Sequence, residues 1–269
     1  MIINIQFFYK FKYKHIFLII VIMSVFEINF YEYDHVFCEA SIYNNGAEYI
    51  NSISALFISF IGLFGLYFNS YHSINIDMLY YSLIINGITS CIYHHTHLIG
   101  WGLLDRNSMI YISTYCFSIF LEILMTKKRF IFDILQFIIV NYLTILSTIT
   151  GLHNELVFNN LFGFFLFSIL IFIVTCSIRF QNVPKIIFYY SFKGIFFITI
   201  AGISWIITEN LCSEYVIMKY LYGHAVWHLA VSLGGYYISL LPIYIIKTNN
   251  YKLSNISIEY KYNIPYISE

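Results

Sequence analysis

The sequence predicts an all-α, polytopic membrane protein: a seven-helix transmembrane bundle preceded by a signal-peptide-like or signal-anchor segment. Two observations carry that expectation. Of 269 residues, 59% are hydrophobic, 21% aromatic and only 10% charged, which is more apolar surface than a single soluble core conceals. The apolar residues also gather into stretches near 50–69, 78–97, 107–126, 130–149, 157–178, 186–208 and 223–246. Each approaches the ~20 residues with which a helix crosses the hydrocarbon layer. The formal net charge of zero and the scattered lysines exclude a basic nucleic-acid patch.

Taken in chain order, residues 1–30 come first. Lys10, Lys12 and Lys14 precede an apolar run from Ile16 to Phe26 that is about half of the ~20 residues of a full span. That is the form of a signal peptide's basic and apolar regions. Glu27 closes the run and no small-x-small cleavage site precedes Cys38, so a signal anchor is the rival reading. The seven spans fill residues 31–248 as one domain, with short loops and no Pro- or Ser-rich linker. Residues 249–269 are polar and Tyr-rich, and loose cytosolic chain is expected there.

Orientation follows from the distribution of cations. Lys127, Lys128, Arg129, Arg179, Lys185, Lys247, Lys252 and Lys261 fall on one side of the seven spans, and only Arg106 and Lys219 on the other. Lys and Arg concentrate on the cytosolic side, so the C-terminus is expected in the cytosol. The segment after residue 30 is then luminal. Cys38 and Cys212 both fall on the luminal side, where a disulfide between them is chemically permitted. Cys91, Cys116 and Cys176 lie within spans and read as small packing residues.

Ionisable residues inside spans are costly, so their positions point toward function. One cluster, Ser90-Cys-Ile-Tyr-His94-His95-Thr96-His97, ends the second span, and Asp105 follows at the mouth of the third. Ser90 and His94 are four apart and share a helix face. The other cluster, His224-Ala-Val-Trp-His228, opens the seventh span. Histidines at i and i+4 form a common two-ligand arrangement for zinc. The alternating topology brings His94, Asp105, His224 and His228 to one leaflet boundary. Three imidazoles with a fourth position left to water form a catalytic zinc set. Against this stands the plain reading of each of these residues as an interhelical hydrogen-bonding contact; His95 and His97 are read as interfacial packing or loop residues.

These residues resemble a family. Ser90-x3-His94-x-Thr96, Leu104-Asp105 with Met109-Ile110-Tyr111, and His224-Ala-Val-Trp-His228-Leu with Leu233-Gly234-x-Tyr236 are similar to the alkaline ceramidases. So are Ala47-Glu48-Tyr49-Ile50-Asn51-Ser52-Ile53-Ser54, Trp205 and Cys212. The likeness runs from residue 34 to 246 and extends to a wider superfamily that includes the progestin and adipoQ receptors. It implies a zinc-dependent amidase of the endoplasmic reticulum or Golgi, splitting a membrane ceramide into sphingoid base and fatty acid. His94, His224 and His228 would hold the zinc, Asp105 would deprotonate the bound water, and Ser90 would support the site or the oxyanion. It also implies a calcium site among Asp34, Glu39 and Glu48, whose oxygen donors suit that ion. Arg106 stands where the family commonly has Glu; a cation there would repel a sphingoid amine or bind an acidic head group. Two other readings share the same residues: a lipid receptor without turnover, and a hydrolase of lipid esters. No protein partner is inferable.

Overall fold

A computed structural model describes residues 31–32, 37–43, 46–69, 74–124, 138–139, 142, 155–250 and 256–268. The expected signal segment, Asp34, Lys127 to Arg129 and most of the expected span 130–149 lie outside the described residues. A 3-10 turn, Cys38–Ser41, precedes the helices α1 (Tyr49–Asn69), α2 (Ile74–Thr96), α3 (Ile99–Leu124), α4 (Glu155–Arg179), α5 (Lys185–Leu211), α6 (Val216–Lys219) and α7 (Gly223–Asn250). Two strands, β1 (Ser257–Lys261) and β2 (Ile264–Ser268), close the chain.

Five of these helices, α1, α3, α4 from Phe162, α5 and α7, are long and apolar enough to cross a membrane. The chain is thus an all-α, polytopic integral membrane protein. Helix α2 has 23 residues but is more polar, because its inner face carries Asn75, Asn86, Ser90 and His94, all buried. Helix α3 begins eight residues before the apolar run that marks it in the sequence, so Asp105 lies within the helix and not in a loop.

The bundle is drawn together by small residues and hydroxyl bonds. Any Cβ at Gly65 would collide with the Tyr80 ring. Gly194 of α5 and Gly234 of α7 face one another, and a Cβ on either would lie within 2.8 Å of the other's carbonyl oxygen. In lipid there is little hydrophobic gain in joining two apolar helices, so close backbone approach and interhelical hydrogen bonds supply the attraction. Between α1 and α2, Ser52 donates to the Cys91 carbonyl (2.9 Å) and Ser59 to the Ile84 carbonyl (2.8 Å).

The end of the chain corrects the expectation of loose chain. Helix α7 continues to Asn250, and β1 and β2 pair antiparallel with Glu259 opposite Tyr266. The two-residue turn has positive φ at both Tyr262 (52°) and Asn263 (62°), the geometry that matches strand twist in tight hairpins. Strand β2 packs against the far ends of α1 and α7. The Ile267 amide donates to Asn69 Oδ1 (3.1 Å), Tyr236 donates to the Pro265 carbonyl (2.6 Å), and Lys247 donates to the Ile267 carbonyl (3.0 Å). Alternate residues Pro265 and Ile267 are buried, the period-2 signature of a strand with one covered face. That pattern is too short to register in a tail rich in polar residues.

Candidate metal centre

The candidate site residues converge at the end of the bundle opposite the hairpin. Helix α2 arrives there with His94 in its last turn, and the chain reverses through His97 (φ 54°) directly into α3. Helix α7 leaves from the same end with His224 and His228 on its first two turns. The three imidazoles are buried, and one nitrogen from each lies within 4.8 Å of the others. Ring centroids are 4.7 Å apart for His94 and His224, 5.1 Å for His94 and His228, and 4.7 Å for His224 and His228. Among the described residues this is the group placed to hold a metal ion. His97 is outside the group, with Nε2 at 3.1 Å from the Gly46 carbonyl and Nδ1 at 3.6 Å from Glu48 Oε1, and His95 is not part of it either.

The donor set suits a metal that prefers nitrogen. His94 Nδ1 lies 2.6 Å from Glu48 Oε2 and His228 Nδ1 lies 2.9 Å from Ser54 Oγ. With Nδ1 engaged outward, Nε2 is the nitrogen each ring offers inward, and a partner on the outer nitrogen is how metal-binding imidazoles are generally held. The third ring, His224, packs between Phe37 (centroids 4.1 Å) and Trp205 (6.3 Å).

Beside this group stand Ser90 and Asp105. Ser90 Oγ is 3.5 Å from His228 Nε2 and also reaches the Asp105 carboxylate. Asn86 fixes that carboxylate by donating to Oδ1 (2.7 Å) and bonds Ser108 Oγ (2.9 Å) as well. The charges of Arg106 and Asp105 also interact. Asn86, Ser90 and His94 follow at i, i+4 and i+8 along one face of α2. That spacing was the available signal for Asn86, which the sequence reading missed.

A strap of chain, from Phe37 to Ser41, covers the site. The disulfide between Cys38 and Cys212, with Cα atoms 5.8 Å apart, ties the 3-10 turn to the end of α5. The Cys38 amide donates to Glu209 Oε2 (2.8 Å) and the Ile99 amide to the Glu32 carbonyl (2.8 Å). These ties bring the Phe37 ring over His94 and His224.

Of the three residues expected to bind calcium, Glu39 and Glu48 are among the described residues. Glu39 accepts from the Ile50 and Asn51 amides (2.6 and 2.8 Å), capping the first turn of α1. Burial pushes its carboxyl above the ordinary range, and these two amides oppose that shift. Glu48 accepts from the Phe37 amide (2.7 Å) and from Asn51 Nδ2 (3.1 Å) while facing His94. No sequence signal marked Glu48 as the histidine's partner, because the contact spans 46 residues and two helices.

From Asn86 an apolar chamber runs down among α1 to α5 and α7, past Leu83, Met109, Cys116, Leu166, Trp227 and Ile238. Asn86 thus touches both the chamber and Asp105, placing an apolar space next to the polar group.

A protein-family model described as Ceramidase matches residues 27–268. No curated protein matches the chain.

Proposed function

The chain belongs to the ceramidase family, and from that premise we propose that it hydrolyses the amide bond of a ceramide-class lipid at a zinc ion held by His94, His224 and His228. Membership supports ceramide hydrolysis in general. The observation that carries the finer reading is the buried three-histidine group beside Ser90 and Asp105, with an apolar chamber opening at Asn86.

A zinc held by three imidazoles supplies Lewis acidity at a carbonyl oxygen and a bound water with a pKa of about 7. The chain's own residues do the rest. Asp105, anchored by Asn86, accepts the proton of the attacking water at a carboxylate oxygen and returns it to the departing nitrogen, giving sphingoid base and fatty acid. Ser90, between Asp105 and His228, donates to the oxygen on which charge develops. The chamber takes the hydrocarbon chains and keeps bulk water from the scissile bond. Phe37 closes the site from above.

The cation asymmetry supports placing the histidine end in the lumen and the hairpin end in the cytosol. The disulfide at the histidine end supports the same orientation, since such bonds persist in oxidising compartments; the endoplasmic reticulum or Golgi fits. The calcium site implied by the resemblance comprises Asp34, which lies outside the described residues, together with Glu39 and Glu48, whose bonds also support roles in capping α1 and orienting His94.

The test is purified protein incubated with ceramides, dihydroceramides and phytoceramides, with free sphingoid base and bound zinc measured together. Wild type should release base and carry one zinc, and His224→Ala and His228→Ala should lose both. Zinc-loaded, active His224→Ala protein would defeat the proposal, as would a zinc-bound wild type that never turns over a substrate.

A further inference from the structure

We infer that Ser54 is a positioning residue that sets the ring tautomer of His228 and so presents its Nε2 to the metal; the inference rests on the zinc reading above. Ser54 Oγ lies 2.9 Å from His228 Nδ1 and donates to the Asn51 carbonyl at 3.0 Å. A hydroxyl has one hydrogen. With that hydrogen directed at Asn51, Ser54 shows the imidazole a lone pair, so Nδ1 carries the ring hydrogen. The lone pair that remains for a metal is on Nε2.

Two features separate this from an ordinary interhelical bond. Ser90, the neighbour of Nε2, stands off at 3.5 Å, so the inner nitrogen is held more loosely than the outer one. The same helix also orients His94, through Glu48 just before its first turn. Helix α1 and the residue just before it therefore fix two of the three imidazoles, one with a neutral hydroxyl and one with a carboxylate, before any ion arrives. Partners of this kind generally change metal affinity 10–100-fold. The effect of Ser54 belongs near the lower bound, because a neutral hydroxyl makes a weaker hydrogen bond than a carboxylate does.

The experiment uses full-length protein in detergent and zinc alone, with affinity read by competition against a chromophoric chelator. Ser54→Ala should bind zinc roughly 10-fold more weakly, and Ser54→Thr, which restores the hydroxyl, should bind as wild type does. The visible spectrum of cobalt(II) at the site should change in Ser54→Ala and return in Ser54→Thr. If Ser54→Ala does not fold, Ser54→Cys, nearly the same size and a weak hydrogen-bonding group, should show the same loss. Unchanged zinc affinity in the Ala or Cys variant overturns the inference, as does an equal loss in Ser54→Thr. Equal zinc binding by wild type and His224→Ala is a different failure: it removes the ion from the three histidines and overturns the zinc reading, independently of any Ser54 variant.

Discussion

At the scale of single residues, the site divides into groups that hold a metal and groups that act beside it, and substitutions should separate them. Asp105→Asn keeps the shape and the Asn86 contact region but removes the base. Zinc content should stay near wild type while turnover falls by about 10²-fold or more, measured as base released per zinc-loaded protein. Loss of zinc in this variant would make Asp105 a ligand and not a base. Glu48→Gln should behave in the opposite way. Its amide can still face His94 Nδ1, but the charge that makes the imidazole a stronger donor is gone, so zinc affinity should fall roughly 10–100-fold. Chelator competition reads this directly, and an unchanged affinity would reduce Glu48 to a link between α1 and the strap.

At the scale of elements, two attachments distant in sequence hold the bundle's ends. The Cys38–Cys212 disulfide bridges 174 residues and keeps the strap over the histidines. Such bonds commonly contribute about 2–4 kcal/mol. Cys38→Ser should therefore lower the melting temperature in detergent and reduce activity, because Phe37 and the Glu209 bond lose their anchor. A variant that melts and turns over like wild type would show that the Glu209 and Glu32 contacts suffice. At the other end, β2 is seated by Asn69, Tyr236 and Lys247, and Ile267 is fully buried. Ile267→Ala should cost about 2–5 kcal/mol, the usual range for emptying a buried Ile position. It should read as a lower melting temperature, with zinc affinity unchanged because the site lies at the opposite end of helices some 30 Å long. A melting temperature equal to wild type would mean that the hairpin adds no stability.

At the scale of the whole molecule, orientation remains to be measured: a glycosylation acceptor added after Glu269 should stay unmodified, and one placed near Ser41 should be modified. The reverse pattern would invert the assignment of sides. The membrane-protein class was legible in the sequence because hydropathy is a local sum over about twenty residues and needs no knowledge of neighbours. His224 and His228 were likewise legible as a pair, since helical spacing alone puts them on one face, and alternating spans brought His94 and Asp105 to their level. The tertiary structure alone decided which groups stand behind them. Ser54 reaches His228 from α1 and Glu48 reaches His94 from just ahead of that helix, and Asn86 reaches Asp105 across the turn into α3; hydrogen-bond partners are chosen by distances of about 3 Å that no spacing rule encodes. It also decided that the polar tail folds back as a hairpin, because a strand of five residues acquires its buried face only from the helix ends it meets.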